Sequence, residues 1–309
     1  MGVLAGLAVL VGVALPLRNT VRLHGDAPPL TALVVQDEHG GLPCLLALTY
    51  AARAVHPDLV VWRESAAGDL STHLAQWAQV QQCARTLPCT LVLGSMASDP
   101  RDRTRHFNTA TIVAPTGTLL GTYRKRHPVQ GMEGGVTPGD VSPAFATPAG
   151  RLGIAICYDF DYASISRQLV QHGAELLVVP TFDAESWSDL QHEQHARMAQ
   201  ARAAEVGRWV LRATSSGVSQ IISPQGEVIA ALPNHASAVT WARIYPLTQR
   251  TLYTRFFFLL PYLCLFLAVV LLFVGIMRRP PPFDNRAAKR NNGTFQSRRS
   301  LCWKPLICR

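Results

Sequence analysis

"RLGIAICYDFDY", residues 151–162, decides how this chain is read. After Arg151 come Leu152, Gly153, Ile154, Ala155 and Ile156. Such a short, uncharged apolar run has the pattern of a strand buried on both faces. It delivers Cys157, and then the polar sequence Tyr158, Asp159, Phe160, Asp161 begins. A lone cysteine in that position is ordinarily a small apolar filler. A chemical role for its thiol therefore requires groups elsewhere in the chain that can activate it.

The surrounding sequence repeats the plan of strand and helix. Strands are expected over 30–36, 58–65, 90–96 and 175–183, with helices over 42–55, 69–86, 162–173 and 187–206. Two hairpins are expected, over 108–125 around Pro115-Thr116-Gly117 and over 218–232 around Pro224-Gln225-Gly226. This order predicts an α/β domain with mixed sheets over residues 28–248. The sequence has no glycine-rich phosphate loop, so nucleotide binding has no support.

Three of these strands end in a reactive residue: Glu64 after "LVVW", Lys125 after "LLGTYR" and Cys157 after "LGIAI". Strand ends along one edge of a sheet are where α/β folds assemble sites. The three residue types suit one another. A thiol with an ordinary pKa near ~8.5 needs help at neutral pH. A carboxylate can take its proton, and an ammonium can face the oxyanion of a tetrahedral intermediate. Taken singly, Glu64 also fits a solvated strand terminus, and Lys125 in "YRKRH" an ordinary basic edge.

The ends of the chain differ from its middle. Residues 256–277 hold no charged side chain, and a helix there is expected to span a membrane, within a transmembrane segment over 254–277. Residues 3–17 form a second uncharged run, and 1–20 is read as a membrane segment, either a short span or part of a truncated one, with a signal-peptide core as the alternative. The formal net charge is +9. Nine basic side chains against Asp284 alone follow Met277, so residues 1–277 are almost neutral. The basic balance thus belongs to the tail, 278–309, which is expected to be disordered and cytoplasmic. It gives the folded domain no nucleic-acid footprint.

Of seven cysteines, Cys44, Cys83, Cys89 and Cys157 fall in the domain. Cys83 and Cys89 are close enough in sequence to pair in an exported domain, but sequence does not fix a pairing. No CxxC spacing points to a metal, and no metal or cofactor is expected. "HEQH", residues 192–195, lacks the spacing of a zinc-binding HExxH and is expected on a solvated helix face.

"VVWRES", "YRKRHPVQGME" and "GIAICYD" resemble the three catalytic blocks of the carbon–nitrogen hydrolase (nitrilase) superfamily. The membrane context and the segment 193–229 are similar to its apolipoprotein N-acyltransferase branch, and the resemblance covers roughly residues 30–277. It implies an αββα sandwich followed by a C-terminal transmembrane helix. Carried over, Glu64 is the general base, Lys125 the oxyanion-stabilising cation and Cys157 the nucleophile. Glu133 matches a second essential glutamate, Tyr158 the tyrosine after the nucleophile, and Asp159 stands where the family usually has Glu. Arg63 replaces a usual Pro, Gln130-Gly131-Met132 replaces Pro-Phe-Gly, and the N-terminal bundle of several spans has no counterpart beyond 1–20.

The implied function is transfer of a fatty acyl group from phospholipid, through a Cys157 thioester, to the N-terminal amine of a lipoprotein. The catalytic domain would lie on the extracytoplasmic side of the inner membrane. A membrane-tethered amidase using the same triad and a truncated, non-catalytic homologue are the alternatives.

Overall fold

A computed structural model describes residues 23–99, 102 and 104–278. The expected segment over 1–20, and the tail beyond Arg278, lie outside the described residues.

Two six-stranded sheets form the core. The first has the order β12-β1-β2-β3-β4-β5, the second β11-β10-β9-β8-β7-β6. Strands β1 (Leu30–Gln36), β2 (Leu59–Val61) and β3 (Thr90–Ser98) are parallel; β4 (His106–Val113), β5 (Leu119–Arg124) and β12 (Ala238–Ile244) join antiparallel. The second sheet repeats this plan. There β7 (Gly150–Ile154), β8 (Leu176–Pro180) and β9 (Val210–Ala213) are parallel, flanked by β6 (Ala144–Thr147), β10 (Gln220–Ile222) and β11 (Val228–Ala231).

Period-two alternation sorts the apolar side chains into layers. On β1, Ala32 and Val34 face the second sheet and meet Leu152, Ile154, Val178 and Leu211. Leu33 and Val35 face the other way, under helices α1 (Gly41–Ala51) and α2 (Leu74–Thr86), with Leu45, Val80 and Cys83. The second sheet sends Leu177, Val179 and Val210 outward beneath α3 (Ala163–Gln171) and α4 (Asp189–Val206). Both faces of each central strand are buried, which is why these strands read as continuous apolar runs. The expected α/β sandwich with helices outside both sheets is therefore present.

Several elements differ from the sequence reading. The short strands β6, β9 and β12 carry no strong local pattern and are defined by their partners. Strand β2 stops at Val61 and β7 at Ile154, so Glu64 and Cys157 stand three residues beyond their strands. Cys83 and Cys89 are both buried free thiols.

The uncharged run over 256–277 is not one helix. It divides into the end of α5 (Leu252–Phe256), a 3-10 turn (Phe257–Leu259) and α6 (Leu260–Met277). Thr251 caps α5, its Oγ1 accepting from Thr254 N at 3.1 Å, and the Arg167 guanidinium sits 3.4 Å over the Phe257 ring. Pro261 lies in the first turn of α6, where its missing amide costs least. The chain forms two compact units that divide between Phe257 and Phe258. Eighteen residues of α6 rise about 27 Å, against a bilayer core of about 30 Å. Among the described residues no helix is long and apolar enough to cross a membrane, so the expected span is not carried by the fold.

Close backbone approach fixes the end of β2. A Cβ on Gly94 would lie 2.4 Å from Glu64 Cα and 2.5 Å from Ser65 N. Both are backbone atoms, so nothing flexible can give way. Gly94→Ala should lose about 1–3 kcal/mol in urea unfolding, the usual cost of overpacking. An unchanged midpoint would mean that the two strands have slack at this point.

Candidate active site

Strand β5 ends at Arg124, and Lys125 continues its ladder, donating its N–H to Asn108 O at 2.8 Å. Its ammonium is buried, with a relative side-chain exposure of 2%. Nζ donates to Glu64 Oε1 at 2.9 Å and to Glu133 Oε2 at 2.7 Å. Asn108 stands beside it on β4 and does the same, donating Nδ2 to Glu64 Oε1 at 2.5 Å and to Glu133 Oε1 at 2.7 Å. Two donors thus bridge two carboxylates. Glu133 is returned to the cluster by a loop in which Gly131 (φ +83°) and Gly135 (φ +84°) take left-handed conformations open to glycine, and Val129 N donates to Glu133 Oε2 at 2.7 Å.

Cys157 opens a 3-10 turn, Cys157–Asp161, with φ at +49°. A non-glycine residue in that region is uncommon and must be held there by its surroundings. Asp159 supplies the hold. Its buried carboxylate accepts from Ile156 N (3.2 Å), Tyr123 OH (2.8 Å), Arg126 N (3.1 Å) and His127 N (2.8 Å). The two backbone donors from Arg126 and His127 directly follow Lys125, so one carboxylate fastens the lysine's strand end to the cysteine's turn. Asp159 therefore supports the cluster from beneath and does not line the cavity. Phe182, just past β8, makes the second link. Its N–H donates to Glu64 Oε2 at 2.8 Å, and its carbonyl accepts from Cys157 Sγ at 3.6 Å.

Glu64, Lys125, Glu133 and Cys157 border one cavity of about 320 Å³. Tyr158, 38% exposed, forms part of its wall, as do Trp187 and His195. All four groups that sequence brought forward for chemistry are thus brought together, with Tyr158 alongside. Sequence reasoning missed Asn108 and the Phe182 peptide. The first is visible only once β4 and β5 are paired, the second only as backbone.

The "HEQH" reading is corrected. His192 is wholly buried, and His195 Nδ1 lies 2.7 Å from Asp183 Oδ1. Asp183 also accepts from Arg212 at 2.6 Å. Burial opposes ionisation of Asp183, but Arg212 and His195 outweigh it and hold the carboxyl well below its usual range. This face of α4 packs on the site, His195 bordering the cavity and bonding to Asp183.

Burial is the largest influence on each reacting group. It pushes the Glu64 carboxyl up, against the pull of Lys125. It works to lower Lys125, but Glu64, Cys157 and Glu133 together raise that ammonium above its ordinary value. It drives the Cys157 thiol far up, Glu64 adding to the rise and Lys125 opposing it. The resting arrangement is a neutral thiol in one cavity with Glu64, the group placed to take its proton, and a buried ammonium held between Glu64 and Glu133.

Alkylation of Cys157 by a small thiol reagent, followed by peptide mass spectrometry, should accordingly be slow at neutral pH. It should climb only well above the ordinary thiol value. Lys125→Gln should slow it further, since the cation is what opposes the rise. A rate already on its plateau at neutral pH would reveal a thiolate–ammonium pair at rest and contradict this account.

The family model described as "Carbon-nitrogen hydrolase" matches residues 32–251. Apolipoprotein N-acyltransferase of Geobacter metallireducens is 28% identical over 249 residues, covering 74% of this chain and 48% of the relative. The protein of that name from Azotobacter vinelandii is 30% identical over 227 residues, 66% of this chain and 43% of the relative. The chain thus spans less than half the length of these relatives. Among solved structures, a carbon–nitrogen hydrolase from Helicobacter pylori G27 aligns over 70% of this chain and 89% of its own, with a TM-score of 0.62 at 19% identity. An amidase from Nesterenkonia covers 75% of this chain and 96% of its own, with a TM-score of 0.62 at 18% identity, a likeness of fold. With its two-sheet sandwich and the family match running across the Glu64, Lys125 and Cys157 blocks, the chain belongs to the carbon–nitrogen hydrolase family.

Proposed function

We propose that the chain is a membrane-associated acyltransferase in which Cys157 carries a fatty acyl group from phospholipid to the N-terminal amine of a lipoprotein. The observation that supports it most is the buried Lys125 ammonium, held by Glu64 and Glu133 beside a thiol on a strained turn. Glu64 takes the Sγ proton as sulfur attacks the ester carbonyl. Lys125 faces the oxyanion of the tetrahedral intermediate. As the intermediate collapses, Glu64 returns the proton to the leaving lysophospholipid alcohol, and the thioester remains. The lipoprotein amine then attacks the thioester and gives up a proton to Glu64, which passes it to the departing Sγ, so that the amide is released and thiol and carboxylate are both restored. The covalent intermediate splits one difficult transfer into two easier ones.

Acyl donors are favoured by the wall of the cavity. Met132 and Tyr158 border it and are 60% and 38% exposed, an apolar rim on the way to the thiol. The names of the sequence relatives point the same way. Water in place of the amine would make the same site an amidase.

Incubation with phospholipid in detergent should add one fatty-acyl mass to the protein, removable by hydroxylamine and absent from Cys157→Ser. Lys125→Ala should slow that acylation about 10²–10³-fold, as loss of an oxyanion donor does. Turnover of short-chain amides with no acyl mass from phospholipid would leave the amidase instead.

The proposal places the catalytic domain on the extracytoplasmic face of the inner membrane and the basic tail in the cytoplasm. Helix α6 is uncharged, and its apolar side chains are exposed around its circumference, including Leu263, Phe266, Leu271 and Phe273. In sealed cells whose outer barrier has been opened, a cysteine introduced near Gly226, at the 40% exposed Val228, should react with an impermeant maleimide, while one at Arg290 should react only after lysis. Equal labelling of both positions before lysis would refute this topology.

A further inference from the structure

The start of α4 holds a cluster that the proposed reaction does not use. Ser188 caps the helix in a capping box with Gln191, which fixes the first turn. That turn presents Asp189 and, three residues on, His192. His192 Nε2 lies 3.0 Å from the Ala184 carbonyl oxygen. A carbonyl only accepts, so Nε2 carries the proton and Nδ1 keeps its lone pair. Nδ1 is buried and has no hydrogen-bond partner among the described residues.

A buried ring nitrogen with an unused lone pair is costly unless something occupies it. What lies near it has metal-ligating chemistry. One donor atom from each of Asp189, His192 and His235 falls within 4.8 Å of the others. Since Nε2 of His192 is taken up by Ala184, Nδ1 is the nitrogen it has to offer. His235 Nε2 lies 3.5 Å from Asp189 Oδ1. The His192 and His235 rings are 5.4 Å apart. Asn234 donates Nδ2 to Asp189 Oδ1 at 3.1 Å, and its own Oδ1 is a second buried atom with no partner among the described residues. His235 is held at φ +60°, with its N–H donated to Ser216 O at 2.7 Å, a strained conformation maintained at the point where its ring turns to the cluster.

We propose that Asp189, His192 and His235 form a binding site for a divalent transition cation of the zinc class. Two imidazoles and one carboxylate suit that class, and three protein ligands leave one position for water. The Nε2–H bond of His192 to a backbone carbonyl is the outer contact that orients a ligating histidine and fixes its tautomer. The site is closed on the His192 side and open at Asp189 and His235, whose side chains are 78% and 41% exposed. A bound cation would tie the first turn of α4 to the segment carrying Asn234 and His235. Trp187, which borders the active-site cavity, lies just before that turn, its ring 6.1 Å from that of His192.

Cys157, Asp183 and His195 also lie within 4.8 Å of one another, so the test must separate the two places. The metal-free full chain in detergent is titrated with Co²⁺, followed by absorbance, and then with Zn²⁺ in competition. The expected result is one tight equivalent with tetrahedral d–d bands and no sulfur-to-cobalt charge-transfer band, unchanged in Cys157→Ala. His235→Asn retains a residue that tolerates a left-handed backbone and should weaken binding at least about tenfold, the lower end of what loss of an outer contact costs a metal site. His192→Gln should do the same; should it fail to fold, the partly exposed His235 still decides. A charge-transfer band that disappears in Cys157→Ala would assign the ion to the thiol and overturn the proposal, as would affinity unaltered in His235→Asn.

Discussion

An ammonium buried without compensation costs several kcal/mol, and the rest of the site is arranged around that cost at Lys125. Two carboxylates meet it at 2.9 and 2.7 Å. Asn108 then binds both carboxylates through one amide nitrogen, which sets their spacing. The second carboxylate matters to the proposed reaction. While Glu64 holds the sulfur proton it is neutral and no longer balances the lysine. Glu133, 2.7 Å from the ammonium, is a second partner that keeps Lys125 held at the moment when the oxyanion needs it. A site with one glutamate would ask the same group to neutralise the lysine and to take the proton.

The cluster is shared between the two sheets, so its geometry depends on how they are joined. Glu64 leaves the first sheet and Cys157 the second. Phe182 links them through its peptide groups, and Glu64 N reaches Thr181 O at 3.4 Å. Asp159 makes the other tie, gathering backbone donors from beyond β5 and from Ile156 beside the thiol. Backbone donors cannot swing away as side chains can. The positive φ at Cys157 is therefore opposed by contacts that are themselves anchored in strands.

The central strands and most helices were legible because both signals are local. Apolar runs bounded by Gly, Pro and polar residues gave β1 at 30–36, and the capped α4 was expected within two residues of its start. Edge strands β6 and β12 were not, because their stability comes from pairing with β7 and β1 and leaves little local pattern. Glu64, Lys125 and Cys157 were found as able groups at the ends of apolar runs. Asp159 was found by resemblance alone, and its work, receiving backbone amides from another strand, has no sequence signature. His192 and His195 were misread for a related reason. A short polar stretch looks solvated until Asp183, Arg212 and the Ala184 carbonyl are folded against it.

The departures from the family pattern fall on supports and rim, and this bears on what differs chemically. Arg63, standing where Pro is usual, is buried and donates to the carbonyls of Glu64, Ser65 and Glu38. A ring that would stiffen the chain before Glu64 is replaced by two hydrogen bonds that fix the chain at Glu64 and Ser65 and a third that ties it to Glu38. Asp159, shorter than Glu by one methylene, still collects its backbone donors because Tyr123 and the 126–127 peptides approach it. Each change keeps the position of a reacting group by other means. The Gln130-Gly131-Met132 segment is different in kind. It leaves Met132 60% exposed at the cavity wall while Glu133 stays bonded to Lys125. The loop thus has two separable parts: a rim residue whose apolar surface can vary, and a carboxylate that stays bonded to Lys125, Asn108 and Val129 N.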